Sequence, residues 1–486
     1  MKKKQILYLL FLSLLVLDIS YSFLQYRSTQ IHGDIAGGVV PAKQVKPILK
    51  SPFGLQLVFA SSTKEKYPNP NRFFSHWALY KYFRKMPIFL QKFVPPIESV
   101  YLASGLIKII THIFLIFVLA ALITHKKINS LNFLLAALLV SPLFQTNGYK
   151  KMTIVNEAIT YTFFYAIPFL ILVLFLAAFY KLIVFNEVQK WGLLKSISLW
   201  GLVIIIPFSG PLNTGIFLIV ALLVFASYFI KMNIRSLTSL RKLRHTTQQI
   251  PNNIKLYFIP LFFLSLYSLY LSRLGSPFEN GLNIPTILER YQRLPFGLFY
   301  TLTTKLGFPL LIIAVLLNLH LISKHYPSAK GRIIIKSAQW FFAFSLLYIL
   351  ALPLGGYRPY RPNIIRQDTF IPITYALIYL FGTSTYYLLF RFRKNKNIYF
   401  SWILLLLLIY KSVDLPYLND NIKEKNALQK IAKSSEQIVP LDCNCEILSW
   451  HVIQTPEESE LNSKLLQIWR ITESPKLYYN SKQQAE

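Results

Sequence analysis

Apolar residues run almost unbroken for about twenty positions at a time along most of this chain, and such a run is long enough to cross a bilayer as a helix. The runs fall at 6–23, 99–124, 129–146, 160–184, 191–208, 213–232, 255–273, 296–322, 337–355, 371–390 and 398–413. They predict an all-α multi-pass membrane protein with about 11 transmembrane helices. Barrel strands would be shorter and would alternate apolar with polar positions, a pattern these runs lack.

Two polar stretches interrupt the pattern. The first, 24–98, is a long loop after the first span. It carries a Pro-Asn-Pro-Asn turn signal that makes Asn71 the expected helix cap. An aromatic and basic segment follows over 72–93, interrupted at Pro87, and its composition predicts one or two helices lying in the membrane interface. The second stretch, 414–486, has helical patterns at 422–433 and 457–471 and a short apolar run at 437–441. It reads as a small α/β cap outside the cytoplasm. The division is a polytopic domain over 1–413, with 24–98 as its first outer loop, and a C-terminal cap over 414–486.

Charge changes the picture in one respect. The formal net charge is +32, a balance that would suit nucleic acid, but the basic residues sit in short loops between spans, where membrane lipids are the simpler partner and no nucleic acid is expected. Lys and Arg number 20 in one alternate set of short loops plus the N-terminus, and 9 in the other. The excess predicts the cytoplasmic (inner) membrane, with the N-terminus inside and the C-terminus outside. Under that topology Glu187 is the one inner-loop carboxylate of the 20 acidic residues, so carboxylate chemistry belongs to the outer face. The cationic head and first run lack a small-residue cleavage site, and the run is expected to be retained as a span. Asp18 lies within it, where an ionisable group calls for a partner. Cys443 and Cys445 are separated by one residue, and no disulfide is expected between them.

The candidate chemistry is sparse. No Walker loop, dinucleotide fingerprint, zinc spacing or nucleophile elbow is present in the sequence. Asp34 lies just beyond the first span, with His32 and Gly33 before it and a small-residue segment after it. A general base needs hydrogen-bonding approach to an acceptor hydroxyl, which a small-residue loop permits; a solvated turn aspartate would look the same. Glu157, in the next outer loop, is the second candidate, against the reading of a carboxylate placed at a helix start by the dipole. Arg358, Arg361 and Arg366 crowd a proline-rich outer loop against the positive-inside trend, and guanidinium forks suit phosphate. Arg290 and Arg293 in the preceding outer loop could join them, while anionic headgroups are the competing explanation.

A first span followed by a long outer loop, an early acidic residue (Asp34), interfacial segments at 72–93, a second outer-loop carboxylate (Glu157) and a cap after the last span together resemble the GT-C superfamily of integral membrane glycosyltransferases. The resemblance implies a polyprenyl-phosphate sugar donor, Asp34 as the base that deprotonates the acceptor, inversion at the anomeric carbon, and outer arginines facing the lipid-phosphate leaving group. His32 would sit with the substrate-binding residues. Many relatives carry an acidic pair in the second outer loop, whereas Asn156-Glu157 offers one carboxylate, so no metal or other cofactor is called for. Two alternatives remain: a lipid-linked glycan polymerase or ligase, and a non-enzymatic transporter.

Overall fold

The computed structural model describes residues 2–59, 66–188, 191–231, 248–275, 285–355, 357, 362–392 and 396–481. The helices that build the bundle and the site are, in chain order, α1 (Lys2–Arg27), a short α2 (Ile35–Val39), α3 (Phe73–Leu90), α4 (Pro96–Thr124), α5 (Leu131–Val140), α6 (Ile167–Phe185), α7 (Leu193–Ile205) and α8 (Pro211–Lys231). They continue as α9 (Asn252–Leu274), α10 (Ile287–Thr303), α11 (Gly307–His325), α12 (Ala329–Ala351), α13 (Gln367–Arg391), α14 (Lys396–Val413), α15 (Ile422–Lys433) and α16 (Glu460–Ile468). Among the described residues, nine helices are long and apolar enough to cross a membrane. The chain is therefore a helical multi-pass membrane protein. Two further expected spans, 129–146 and 191–208, coincide with the shorter apolar helices Leu131–Leu143 and Leu193–Ile205.

The first helix packs along α4 and α5, and α13 is sandwiched by α4, α5, α11 and α12. Asp18 of α1 finds the expected partner in Lys411 of α14, at 2.5 Å. Just past α14 the buried carboxylate of Asp414 accepts the backbone N–H groups of Thr146, Asn147 and Gly148, and so holds the loop after α5.

A second hydrophobic cluster lies at one end of the bundle. It joins Ile31, Ile35 and Val39 of the first long loop to Leu79 and Phe83 of α3, and to Tyr101 of α4. The tail adds Leu428, Ile431, Leu465, Trp469 and Tyr478. Two parallel strands, β1 (Ile438–Leu441) and β2 (Leu477–Asn480), complete the tail, with Val439 opposite Tyr478. Burial of each large side chain here stabilises the docking by about 1.5–3 kcal/mol.

The segment at 72–93, expected to form one or two helices, forms one, α3, which runs through Pro87. A proline there removes the N–H that would bond the carbonyl of Phe83. The indole of Trp469 supplies the missing donor, at 2.9 Å to Phe83 O. Other local expectations are corrected. Asn71 does not cap α3; it is buried, and its amide donates to the carbonyl and hydroxyl of Ser268 in α9. Arg72 occupies the cap position instead. The apolar run expected over 296–322 divides into α10, closed at its start by a Thr286–Glu289 capping box, and the membrane-length helix α11. Cys443 and Cys445 are disulfide-bonded, with Cα atoms 5.1 Å apart. Asn444 between them takes φ +42, a left-handed conformation that asparagine tolerates and that lets so short a ring close.

Candidate functional site

The loop after α1 is held from below by the tail. The N–H of Gln30 donates to Asp420 at 3.1 Å, and that of Ile31 to Glu424 at 2.9 Å. Gly33 then turns the chain at φ +41, and Asp34 opens α2 without using its side chain as a cap. The Asp34 carboxylate is exposed at the surface of a crowded surround.

Trp450 of the tail covers this turn. Its ring stacks on His32 at 5.1 Å and on Tyr161 at 5.7 Å between centroids, and its indole lies close enough to favour the ionised Asp34 carboxylate. The ring lies so close to the Gly33 backbone that an added Cβ would fall 1.7 Å from Nε1. Only glycine fits beneath the indole, and its left-handed φ requires glycine for a second reason.

Arg366 enters from the other side. Its guanidinium lies over the Tyr161 ring at 4.3 Å and pairs with Asp368 at 3.1 Å. The backbone around it is fixed by Thr369, whose hydroxyl accepts the Arg366 N–H and donates to the Arg366 carbonyl. Crowding by protein raises the Asp34 carboxyl from its ordinary pKa, while the Trp450 indole and the Arg366 charge act in the opposite direction. Burial lowers the His32 imidazole, and the Glu157 charge is the largest opposing influence. His32 Nδ1 is buried without a hydrogen-bond partner among the described residues.

Glu157 borders this cluster. Its side chain pairs with Lys150 at 3.3 Å, and its backbone carbonyl accepts from Lys108, a fully buried lysine of α4 that also donates to Thr29 at 2.7 Å. Arg290 and Arg293 lie apart, as tethers of the proline-rich loop. Arg290 donates to the carbonyls of Pro285 and Pro353, and Arg293 to the Tyr357 hydroxyl at 3.3 Å. Arg358 and Arg361 lie outside the described residues. Among the described residues, no group of three or more His, Cys, Asp and Glu side chains gathers to hold a metal ion.

The geometry thus brings Asp34, His32 and Arg366 to one place, with Glu157 at its edge, and adds Trp450, Tyr161 and Glu424. Glu424 is fully buried and accepts from the Ile31 N–H, the Tyr101 hydroxyl and the Leu448 N–H, at 2.9, 2.7 and 3.1 Å. It therefore fixes both the segment leading to Asp34 and the one leading to Trp450. No local sequence signal marks Trp450, Tyr161 or Glu424. Lys108 did carry one, as a lone charge inside an apolar run. A carboxylate made more basic by its surroundings, beside an arginine and aromatic faces, can accept a proton from a bound hydroxyl and hold an anionic or sugar-bearing group nearby. No family model, no curated protein and no solved structure matches this chain.

Proposed function

We propose that this protein is an integral membrane glycosyltransferase that moves a sugar from a polyprenyl-phosphate donor to an acceptor on the outer face of the cytoplasmic membrane. In this reading the chain makes eleven passes, counting the two shorter helices, with the N-terminus inside and the C-terminal cap outside. The observation that carries the proposal is that Trp450 packs on the Gly33 turn that presents Asp34, and stacks on Tyr161, over which the Arg366 guanidinium lies.

Asp34 takes the proton of the acceptor hydroxyl as its oxygen bonds the anomeric carbon. The bond from that carbon to the donor phosphate breaks on the opposite face, and the polyprenyl phosphate leaves with the electron pair. Arg366 supplies the cation that stabilises that developing charge. His32 and Tyr161 stack on Trp450 and hold the indole beside the Asp34 turn, where it walls the sugar side of the site.

The experiment is transfer from polyprenyl-phosphate sugars in proteoliposomes. Loss of a general base costs on the order of 10²–10⁴ in rate, so Asp34→Asn should lose that factor while eluting as folded protein. Near-wild-type transfer by Asp34→Asn refutes the role of Asp34. Absence of transfer by the wild type across such donors, with a folded sample, refutes the reading as a whole.

A further inference from the structure

A second recess lies between the start of α3, the segment leading into α6, and the turn that begins α8. It is lined by Arg72, Phe164, Tyr165, Pro168 and residues 209–213, encloses about 10 Å3 and opens to solvent at its mouth. It sits at the same end of the bundle as Asp34, since Tyr165 contacts Tyr161 edge to face at 5.6 Å.

Three features of the recess point to one ligand chemistry. The Arg72 guanidinium lies over the Phe164 and Tyr165 rings, each at 5.6 Å, and makes no hydrogen bond or ion pair among the described residues; its Nε is buried and unpartnered. The Asn213 side chain is 2% exposed, and its Nδ2 donor also lacks a partner. Asn213 lies in the first turn of the 21-residue helix α8, where backbone N–H groups have no carbonyl one turn back and the dipole favours an anion.

A buried donor left empty costs about 1–3 kcal/mol, yet the surrounding frame is built to keep these donors in place. Ser75 donates to the Ser209 carbonyl at 2.9 Å, and Ser268 to that of Pro207 at 2.6 Å. Gly210 takes φ +127, a conformation a side chain would strain. Burial and the Arg72 charge push the His76 imidazole down to about 3, so it adds no second charge beside the guanidinium.

We infer that Arg72, Asn213 and the N-terminal turn of α8 form a binding site for a phosphate group. A phosphate oxyanion has acceptor sites for all three donor sets at once and carries the negative charge that the guanidinium and the helix start favour. The site stands apart from Arg366 and does not depend on the transferase reading. Its occupant is either a phospholipid headgroup or free phosphate, which share this chemistry.

The test is thermal unfolding of the full chain in a phosphate-free detergent, with inorganic phosphate or phosphatidic acid added and matched chloride as the salt control. Ligand binding to the folded state raises the midpoint by mass action. The wild type should respond to at least one probe: a response to inorganic phosphate identifies free phosphate, and one to phosphatidic acid alone identifies a headgroup. Arg72→Gln should require at least tenfold more of that probe. Asn213→Asp is nearly isosteric and places a carboxylate beside Arg72. It should fold without ligand and abolish the response. The inference is overturned if neither probe moves the wild-type midpoint beyond chloride, or if both variants respond as the wild type does.

Discussion

Glu424 gives the most discriminating test of how the tail holds the loop that carries Asp34. Burial pushes its carboxyl up to about 7 from an ordinary 4.5, outweighing the hydrogen bonds from Ile31, Tyr101 and Leu448 that favour the ionised form. A displacement of that size corresponds to roughly 3 kcal/mol of preference for the protonated state. The folded protein thus holds this proton more tightly than the unfolded chain does. The resulting stability is complete below about pH 4.5, and it is lost as pH rises through about 7.

The variant Glu424→Gln removes the titration but not the shape. Oε2 accepts from Ile31 and Tyr101 while Oε1 accepts from Leu448, so either orientation of the amide turns its NH₂ toward a backbone N–H. That orphaned donor is a pH-independent cost of about 1–3 kcal/mol. The assay is the unfolding midpoint of wild type and variant in detergent from about pH 5 to about pH 8, read as the difference between them. His32 and Asp34 titrate in both proteins and cancel. Wild type should lose ground to Glu424→Gln as pH rises. A difference that stays flat across this range refutes a proton held at Glu424.

Gly33→Ala should displace Trp450 and cost at least the 1–2 kcal/mol of a left-handed non-glycine residue. Most of any further loss should vanish in a Trp450→Ala background, and strictly additive effects in this double-mutant cycle would contradict the packing of the indole on Gly33. Asp18→Asn should lower stability by on the order of 1 kcal/mol, a modest figure because Lys411 is 35% exposed. Lys411→Met should recover part of that loss, and an unchanged unfolding midpoint in Asp18→Asn would show that the pair contributes nothing.

Much of the helical framework was legible in the residues, and the reason is local. A run of apolar side chains inside a bilayer must satisfy its own backbone, and only a helix does so within one segment. The exception is instructive. The run at 296–322 looked continuous, but α10 ends at Thr303 and α11 begins at Gly307, so the membrane-length helix starts later than the apolar pattern suggested. Pro87 misled in the opposite direction, because its broken hydrogen bond is repaired by Trp469, which belongs to a segment far along the chain.

The candidate site was legible only as isolated residues. Asp34 and Arg366 could be singled out by their place just outside apolar runs, since the cost of burying charge in lipid makes such positions conspicuous. Arg290 and Arg293 had the same signal, yet they tether the proline-rich loop. Sequence by itself determined the helical membrane class and the positions of the polar loops, because both follow from the transfer energetics of contiguous side chains. Only the tertiary structure decided that Trp450 lies against Asp34, that Glu424 joins the two loops, and that Arg72 and Asn213 face one recess. Those placements depend on contacts between segments hundreds of residues apart, and no local pattern of apolar and polar positions encodes which distant segment meets which.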